Sequence, residues 1–482
     1  MNITIVNPRG AIHGKRELHM SILYLSTALH RQGYNVNIVD SQIENVEKKL
    51  KTSILKSDVI GFTVMTDHVR DALKLSDLVK ETDSDIPIVW GGIHPTLYPT
   101  QTIQDESIDY VVVGEGELTL LELMSHFEGK INLNNIKGLA YQENDNVKIN
   151  PKRDFIDLNT LSPPEWKLLK LEEYVQDFKI GGRSLGKTLP IHSGRGCSYR
   201  CRFCLNLLDN RWRPLSAENI LNEVKILTEK YKLEYINFTD DNFFSNRKRV
   251  EDFSKALISE KIDIKWQGCC RANYFNANHV NDYLMQLVKK SGCTTMAVGV
   301  ESGSQRIIDM LNKEITLEQV LKAVKMCKKY DMYIFCSFMI GLPNEEKEDM
   351  LETLKLIKKI ITINPKAYII GPQVYRPYPG CSLYNEVAGM FKAPSTLREW
   401  AETKIFEGYT STDTLPWIQE PNIVENASFY VMRSLSNPSS YTKSLIEFPF
   451  KKLAQFRLDH NIFDFNVDRK IFEFGKKTFI NR

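Results

Sequence analysis

Short apolar runs alternate with amphipathic helical patterns through the first 130 residues of this 482-residue chain. β-branched and aromatic side chains dominate the runs, and strands that alternate with helices in this way predict a parallel sheet covered by helices. Five such strands predict a flavodoxin- or Rossmann-like domain whose ligands bind at the carboxyl ends of the strands. The predicted strands are 3–6, 36–39, 59–64, 86–90 and 110–113, the helices 20–32, 69–81 and 118–127, and a closing hairpin 139–149.

A second alternating series begins at residue 190 and ends near residue 373. Six β/α units are too few for a closed eight-stranded barrel, so the pattern predicts a partial (β/α)6 TIM barrel with its site at the carboxyl ends of the strands. After Cys381 the alternation stops, and the aromatic-rich tail predicts a mainly helical C-terminal region. The predicted divisions are a Rossmann-like domain over 1–150, a linker over 151–187, the barrel over 188–385 and the helical region over 386–482.

Charge and composition narrow the class of protein. Lys and Arg number 63 against 60 Asp and Glu, a net charge of +3, which is too balanced for a nucleic-acid-binding surface. No run approaches the ~18 apolar residues of a membrane span, and the N-terminal sequence has no signal-peptide pattern. Nine cysteines without a disulfide-like spacing fit a reducing compartment. We therefore expect a cytoplasmic protein with no nucleic-acid partner and no membrane span.

Three cysteines stand close together after the first barrel strand, in the sequence Cys197-Ser-Tyr-Arg-Cys201-Arg-Phe-Cys204. A [4Fe-4S] cluster normally takes four cysteines, so three leave one iron open, as catalytic metal sites do. A zinc knuckle is the alternative, but it needs a fourth Cys or His at short spacing, and the closest histidine is His192 in the preceding strand. The spacing resembles the signature of the radical S-adenosylmethionine (SAM) superfamily, in which SAM chelates the open iron.

Polar and glycine-rich segments follow the predicted barrel strands at their carboxyl ends, where binding groups belong. The carboxylates of Asp240 and Asp241 can accept hydrogen bonds from the amino group of SAM, and Glu301 suits a ribose hydroxyl. The backbone of the Gly341-Leu342 turn can contact an adenine edge. Each segment also has a competing explanation as a turn, a helix cap or a packing residue. The candidate SAM-binding residues are Phe203, Thr239, Asp240, Asp241, Glu301, Ser302, Gly341 and Leu342.

In sequence order these segments resemble the large cobalamin-associated class of radical SAM enzymes, over about residues 1–480. The motifs are the cysteine loop, Arg211-x-Arg213, Phe-Thr-Asp-Asp-Asn-Phe at 238–243, Gly-Val-Glu-Ser-Gly at 299–303, Gly-Leu-Pro at 341–343, Tyr-Pro-Gly at 378–380, Val89-Trp-Gly-Gly-Ile-His-Pro95 and Val113-Gly-Glu-Gly-Glu117. The resemblance implies that Cys197, Cys201 and Cys204 ligate the [4Fe-4S] cluster and that the N-terminal domain holds cobalamin over the barrel mouth. It also implies methyl transfer, in which one SAM methylates cobalt, a second makes the radical, and the substrate radical takes the methyl group.

The resemblance places cobalamin at glycine-rich strand ends of the N-terminal domain. The candidate residues are Gly91, Gly92, His94, Gly114, Glu115 and Gly116. The Asp-x-His-x-x-Gly motif that delivers a histidine to cobalt in many cobalamin domains is absent, and His13, in the loop after the first strand, lacks an orienting carboxylate. We expect cobalamin to bind without a histidine ligand; a domain that kept the fold and lost the cofactor is the alternative.

Two further thiols are candidates for radical chemistry. Cys381 follows Pro379-Gly380 near the predicted barrel mouth, and Cys270 ends the third barrel strand beside Arg271. A small buried packing residue is the competing explanation for both, so the sequence assigns no catalytic residue.

The leading functional hypothesis is a cobalamin-dependent radical SAM methyltransferase that acts on an unactivated carbon or phosphorus of a small metabolite. Its partners would be that small molecule and an electron donor such as flavodoxin or ferredoxin. One alternative is a radical SAM dehydratase, epimerase, cyclase or C–C coupling enzyme whose N-terminal domain no longer binds cobalamin. Another is a non-catalytic cobalamin or Fe–S sensor, which the polar strand ends disfavour.

Overall fold

The computed structural model describes residues 1–10, 18–180, 182–205, 209–405, 412–435, 441–463 and 465–475. Two seven-stranded sheets and a group of C-terminal helices make up this part of the chain. The prediction of an α/β N-terminal domain, a partial barrel and a mainly helical C-terminal region is confirmed. No helix in these ranges is both long and apolar enough to cross a bilayer.

The N-terminal domain is a parallel sheet extended by an antiparallel hairpin. Its strands are β1 (Asn2–Asn7), β2 (Asn35–Asp40), β3 (Val59–Thr63), β4 (Ile88–Gly91), β5 (Tyr110–Val112), β6 (Leu139–Glu143) and β7 (Asn146–Ile149). They lie in the order β2-β1-β3-β4-β5-β6-β7, and the first five, all parallel, have the predicted flavodoxin-like order. The helices are α1 (Met20–Arg31), α2 (Val46–Ile54), α3 (Val69–Thr82), α4 (Ile93–Leu97), α5 (Pro99–Ile103) and α6 (Gly116–Phe127).

Continuous apolar runs explain why these strands form the centre of the domain. In β1 and β4 nearly every side chain is buried, including Ile5, Val6 and Trp90, because parallel strands are covered on both faces. Helix α2 was not predicted from the sequence. Only Leu50, Ser53 and Ile54 of this lysine-rich segment are buried, which is too few apolar positions to give a clear helical pattern.

The barrel is a second sheet, with six parallel strands and one antiparallel edge strand. Its strands are β8 (Gln176–Ile180), β9 (Arg183–Ile191), β12 (Tyr235–Phe238), β13 (Lys265–Cys270), β14 (Cys293–Glu301), β15 (Tyr333–Ile340) and β16 (Ala367–Val374); a separate ribbon pairs β10 (Gly194–Arg195) with β11 (Arg213–Pro214). The sheet order is β16-β15-β14-β13-β12-β9-β8. The helices are α7 (Ala217–Tyr231), α8 (Arg247–Ser259), α9 (Asp282–Lys290), α10 (Gln305–Met310), α11 (Leu317–Lys329) and α12 (Lys347–Ile363).

Strand β8 lies inside the segment 151–187 that the sequence predicted to be a linker. It pairs antiparallel with β9, and its Phe178 stacks on Tyr235 with ring centroids 4.4 Å apart. Tyr333 and Phe335 pack against the same cluster, at the amino ends of the parallel strands. Phe178 of the added strand thus covers the amino end of the barrel. We call the opposite end, formed by the carboxyl ends of β9 and β12–β16, the barrel mouth.

The C-terminal helices pack on both larger units. They are α13 (Ser382–Val387), α14 (Leu397–Glu402), α15 (Pro421–Leu435), α16 (Tyr441–His460) and α17 (Val467–Gly475). Helix α15 lies on β16, where Ser428 Oγ donates a hydrogen bond to the carbonyl oxygen of Pro372 at 2.6 Å. Helix α14 lies against α3 of the N-terminal domain.

We call residues 396–403 the strap, because they fasten the C-terminal region to the N-terminal domain. Arg398 pairs with the carboxylates of Asp77 at 2.7 Å and Asp105 at 2.6 Å. The buried indole of Trp400 contacts the rings of His94 and Tyr98 at centroid distances of 5.3 and 5.1 Å. The strap therefore joins segments of the chain that are about 300 residues apart, and an apolar contact lies at its centre.

Replacing the strap's aromatic residue tests this docking. Trp400→Ala removes a fully buried ring and is expected to lower the free energy of unfolding by about 3–5 kcal/mol. Chemical denaturation followed by circular dichroism measures the change. Met390→Ala, at a side chain that is 54% exposed, is the control and should stay within about 0.5 kcal/mol. Equal stability of the two variants would contradict a stabilising role for the strap.

Candidate active site at the barrel mouth

The three cysteines lie in the loop between β10 and β11, at the barrel mouth. The two strands pair through Arg195 and Arg213, so the loop leaves and returns at one place. The Arg202 N–H donates to the carbonyl oxygen of Leu311 at 2.9 Å, and the Leu383 N–H donates to the carbonyl oxygen of Arg202 at 2.9 Å. Contacts with the barrel and with α13 therefore hold the backbone that presents the thiols.

Two hydrogen-bond donors from neighbouring strands point at these thiols. Arg271, after β13, places Nη1 3.6 Å from Cys201 Sγ, and Asn242, after β12, places Nδ2 3.9 Å from Cys197 Sγ. Arg271 is buried, and its guanidinium stacks on the Tyr199 ring at 3.4 Å from the centroid. Donors aimed at sulfur fit an iron–sulfur cluster, because hydrogen bonds to the sulfur atoms help to set its potential.

The thiol Cys204 lies beside a buried lysine that sequence reasoning missed. Cys204 is exposed as a residue; partial desolvation of its thiol raises the pKa, and the positive charge of Lys313 opposes the rise. Within the ranges that the structure describes, no three His, Cys, Asp or Glu side chains converge as ligands of one metal ion would. A cubane cluster has a different requirement, since each of its thiolates binds a separate iron.

Glu301 is held in an unusual backbone conformation at the end of β14. Its φ is +71°, and the register with β15 shifts between Gly299 and Glu301, as at a β-bulge, which re-aims a side chain. The Glu301 carboxylate accepts a hydrogen bond from Lys313 Nζ at 2.7 Å, and both side chains are buried. A Cβ at Gly299 would collide with this pair, so the glycine leaves the space that the pair occupies. Left-handed conformations of a non-glycine residue cluster at functional sites.

The adjacent carboxylates Asp240 and Asp241 have different environments. Asp240 is buried; it accepts hydrogen bonds from the Ser193 N–H at 2.6 Å and the Ser193 hydroxyl at 2.5 Å, and it lies 3.7 Å from Arg249. Burial raises the pKa of Asp240 to about 6, against the opposing effects of Arg249 and Ser193. Asp241 and Thr239 are exposed at the mouth. Of the predicted pair, therefore, Asp241 faces open space and Asp240 joins β9 to β12.

The turn at Gly341 and Leu342 already has internal partners. Glu345 accepts the Gly341 N–H at 2.5 Å and the Leu342 N–H at 3.1 Å, and the Trp417 indole donates to the Gly341 carbonyl oxygen at 3.0 Å. Burial raises the pKa of Glu345 to about 8. These backbone groups are therefore already hydrogen-bonded within the protein. The turn can contact an adenine through side-chain packing instead.

Three cysteines outside the loop differ in whether their thiols face the helices or the barrel mouth. Cys270 is fully buried and its electrostatic neighbours include Cys327 of α11, so it faces the helices. Cys269, one residue earlier, is influenced by Asp241 and Lys313 and lies on the mouth side. Cys381 is 1% exposed, with its thiol 3.1 Å from the carbonyl oxygen of Tyr378 and 3.8 Å from the Tyr375 hydroxyl. Sequence reasoning chose Cys270 and overlooked Cys269, which alternation along β13 places on the opposite face.

The candidate cobalamin residues lie at the carboxyl edge of the N-terminal sheet, but they do not all face outward. Gly92 has φ +105° and its Cβ position lies 2.8 Å from the Val64 carbonyl oxygen, so only glycine fits this turn. His94 is buried behind the strap. Gly114 has φ +88° with open space above it, as a backbone that receives a bulky ligand would require. His13 lies outside the described residues.

Glu115 and Ser302 also have internal partners. The Glu115 carboxylate accepts hydrogen bonds from Arg195 at 2.8 Å and Arg213 at 2.7 Å, and Ser302 Oγ lies 3.1 Å from Thr353 Oγ1. The Phe203 ring is 5.2 Å from Lys313 Nζ. Phe203, Glu301 and Lys313 therefore converge beside the cysteine loop, whereas Glu115 joins two domains.

The carboxyl edges of the two sheets meet at one glycine. A Cβ at Gly380 would lie 2.6 Å from Leu97, in α4 of the N-terminal domain, and 2.5 Å from Leu205, next to the last loop cysteine. Gly380 has φ +89° and no side chain, so the two leucines can approach its backbone this closely. The cysteine loop and the ligand edge of the N-terminal sheet therefore adjoin each other.

Family models match both halves of this arrangement. The model of the radical SAM superfamily matches residues 191–357, and the model of the B12 binding domain matches residues 15–124. An uncharacterized methyltransferase of Pyrococcus horikoshii is 33% identical over 373 residues, which cover 76% of this chain and 77% of that protein. The anaerobic magnesium-protoporphyrin IX monomethyl ester cyclase of Rubrivivax gelatinosus is 27% identical over 445 residues, or 89% of this chain and 75% of the cyclase.

Solved structures share the fold. The cobalamin-dependent SAM radical enzyme OxsB, with aqua-cobalamin bound, has a TM-score of 0.72 at 17% identity over 99% of this chain and 75% of its own. The radical SAM methyltransferase TsrM from Kitasatospora setae, with cobalamin and a [4Fe-4S] cluster bound, has a TM-score of 0.65 at 18% identity over 82% and 79%. The chain therefore belongs to the radical SAM superfamily, in the group that carries a B12-binding domain, and its cofactors are a [4Fe-4S] cluster, SAM and cobalamin.

Proposed function

We propose that the protein is a cobalamin-dependent radical SAM methyltransferase acting on an unactivated carbon or phosphorus of a small metabolite. The observation that carries the proposal is the meeting of Leu97 and Leu205 at Gly380, which brings the cobalamin edge next to the cysteine loop. A methyl group carried in one domain needs a short path to a radical made in the other. The relatives named as methyltransferases, including the cytidylyl-2-hydroxyethylphosphonate methyltransferase of Streptomyces wedmorensis (24% identical over 378 residues, 66% of this chain and 68% of that protein), support it.

We assign the cluster to Cys197, Cys201 and Cys204. When bound, the cluster supplies the electron that splits SAM into methionine and a 5′-deoxyadenosyl radical, and cobalamin supplies the methyl carrier. Asn242 and Arg271 donate hydrogen bonds toward the cysteine sulfurs. The buried positive charge of Arg271 favours the extra negative charge of the reduced cluster. We propose that the electron is delivered by a small electron-carrier protein of the flavodoxin or ferredoxin type.

SAM is proposed to bind between the cysteine loop and the end of β14. Glu301 and Lys313 supply one negative and one positive group there, in a buried pair. These charges match the amino and carboxylate groups that SAM presents, and Phe203 beside Lys313 offers an apolar face. Asp241 and Thr239 line the open side of the same mouth. Asp240 serves this site indirectly, because it positions the ends of β9 and β12.

A second candidate function keeps the cofactors and changes the reaction. The cyclase of Rubrivivax gelatinosus matches 89% of this chain, a larger share than the methyltransferase relatives match. That match favours a radical reaction that ends without methyl transfer, such as ring formation. The two candidates differ in whether S-adenosylhomocysteine is a product.

Product analysis separates the two candidates without knowledge of the substrate. The anaerobically purified holoprotein, given SAM and a reductant, should form both S-adenosylhomocysteine and 5′-deoxyadenosine. Methyl transfer from SAM leaves the first, and the 5′-deoxyadenosyl radical becomes the second when it takes a hydrogen atom from the protein or the buffer. Protein prepared without cobalamin should lose only S-adenosylhomocysteine. Liquid chromatography with mass spectrometry quantifies both. Formation of 5′-deoxyadenosine alone by the holoprotein would refute methyl transfer and favour the cyclase-like reaction.

The assignment of the cluster to these three cysteines predicts that replacing one of them abolishes the cluster. Cys201→Ala removes one of three ligands and should abolish the visible absorbance of the reconstituted protein together with SAM cleavage, because no other cysteine in the loop can replace it. Cys327→Ala, at a buried thiol of α11, is the control and should keep both. Iron and sulfide assays measure cluster content. A SAM-cleaving cluster in Cys201→Ala protein would overturn the assignment.

The role proposed for the buried Glu301–Lys313 pair predicts that its loss lowers the affinity for SAM. Glu301→Gln and Lys313→Met should each weaken SAM binding about tenfold or more, since a hydrogen bond to a charged group contributes about 1.5–3 kcal/mol and tenfold is about 1.4 kcal/mol. Equilibrium dialysis of cluster-loaded protein measures the affinity.

Stability must be followed in the same variants, because removing one partner of a buried ion pair also destabilises the fold. The double variant Glu301→Gln/Lys313→Met restores the charge balance. Lys329→Met, which breaks a surface pair with Asp282, is the matched control and should bind SAM normally. Full SAM affinity in both single variants would leave Glu301 and Lys313 with a structural role only.

A further inference from the structure

Four charged side chains connect the N-terminal domain to the cysteine loop, and we call them the clasp. Two are Glu115 and Glu117, in the loop between β5 and α6 and at the start of α6. The other two are Arg195 of β10 and Arg213 of β11. Arg195 lies two residues before Cys197, and Arg213 follows the loop, so the clasp holds the loop at both of its ends.

The geometry of the clasp is that of paired guanidinium–carboxylate contacts. Arg213 reaches Glu115 with Nη1 at 2.9 Å and Nη2 at 2.7 Å. Arg195 divides its two terminal nitrogens between Glu115 at 2.8 Å and Glu117 at 2.6 Å. Such two-point contacts fix orientation as well as distance. The clasp therefore constrains the angle between the two domains, not only their separation.

The clasp is largely removed from water. Its four side chains are 6–18% exposed, Tyr24 lies against Arg195 at 5.1 Å, and Phe155 lies against Arg213 at 4.7 Å. Although burial opposes ionisation, the two guanidinium groups hold the pKa of Glu115 below its usual value. Two positive and two negative charges balance, so every charge has a partner.

Stability alone gives a poor account of this arrangement. Desolvating a buried ion pair costs about as much as its Coulomb attraction returns, and well-packed apolar residues often stabilise a fold equally well. Bidentate charged contacts differ from apolar packing in directionality. The clasp lies between the cobalamin edge and the cysteine loop. A reaction that uses both cofactors depends there on how one is oriented relative to the other.

We propose that Glu115, Glu117, Arg195 and Arg213 are positioning residues that set the distance and orientation of cobalamin relative to the [4Fe-4S] cluster. Glu115 and Glu117 act through the two arginines and do not contact cobalamin. The inference rests on the proposed ligation of the cluster by Cys197, Cys201 and Cys204. It does not depend on which reaction the enzyme catalyses.

The experiment uses the full chain loaded with cluster and cobalamin. Arg213→Lys keeps the charge and loses the two-point contact, and Arg213→Gln loses both. Glu117→Gln weakens the contact between Glu117 and Arg195. Arg398→Gln is the matched control, because Arg398 also pairs with two carboxylates of the N-terminal domain but lies in the strap, away from the cysteine loop.

The main readout is electron paramagnetic resonance of protein in which cobalt(II) cobalamin and the reduced cluster are both paramagnetic. The magnetic interaction between them depends steeply on their separation. We expect it to change in Arg213→Gln and Glu117→Gln and to change less in Arg213→Lys, with iron and cobalt contents equal to those of the unaltered protein. Arg398→Gln should give the unaltered spectrum.

Two outcomes would overturn the proposal. An unchanged magnetic interaction in Arg213→Gln and Glu117→Gln would show that the clasp does not set the geometry. Loss of cobalamin from Glu117→Gln protein, with Arg213→Gln and the control still loaded, would show that this glutamate binds the cofactor directly. Failure of the methyltransferase proposal would be seen separately, as absent S-adenosylhomocysteine, because the resonance experiment needs only the two bound cofactors.

Discussion

Parallel strands place all of their carboxyl ends along one edge, and this molecule depends on two such edges facing each other. The edge of the N-terminal sheet carries the Gly114–Glu117 loop, and the edge of the barrel carries the cysteine loop and Glu301. The clasp and the close approach at Gly380 join the edges. Because the strands are parallel, residues distant in sequence reach one region, and two cofactors of a single reaction can adjoin each other there.

Charge has to be balanced there, because several of the charged side chains beside the cysteine loop are buried. Arg271 and Lys313 are buried beside Cys201 and Cys204, and Glu301 offsets one of the two positive charges. A cluster with three thiolates is anionic and becomes more so on reduction, so nearby cations ease its reduction. The same cations suit the carboxylate of SAM. In the proposed site, the ends of β13 and β14 thus serve the cluster and its ligand together.

Single-residue steps along the strands decide which side chains can take part. Cys269 lies on the mouth side and Cys270 on the helix side, because successive side chains alternate. Asp241 is open and Asp240 is buried for a similar reason, at the point where β12 ends. At Glu301 the alternation is broken by a bulge and a positive φ, which turn the carboxylate toward Lys313. A one-residue error in reading such a segment exchanges a ligand-facing residue for a structural one.

The sequence by itself determined the alternation of strands and helices, the parallel strands at the centre of both sheets, the cysteine loop and the family, because period, composition and motif spacing are local properties. It did not predict β8, whose short half-polar segment becomes a strand only when Phe178 meets Tyr235. Nor did it predict that His94 packs behind Trp400, that the Trp417 indole donates to the Gly341 carbonyl oxygen, or that Glu115 pairs with two arginines. Those partners are set by contacts between distant parts of the chain, and only the tertiary structure decides them, because local period and motif spacing do not indicate which distant residue a side chain meets.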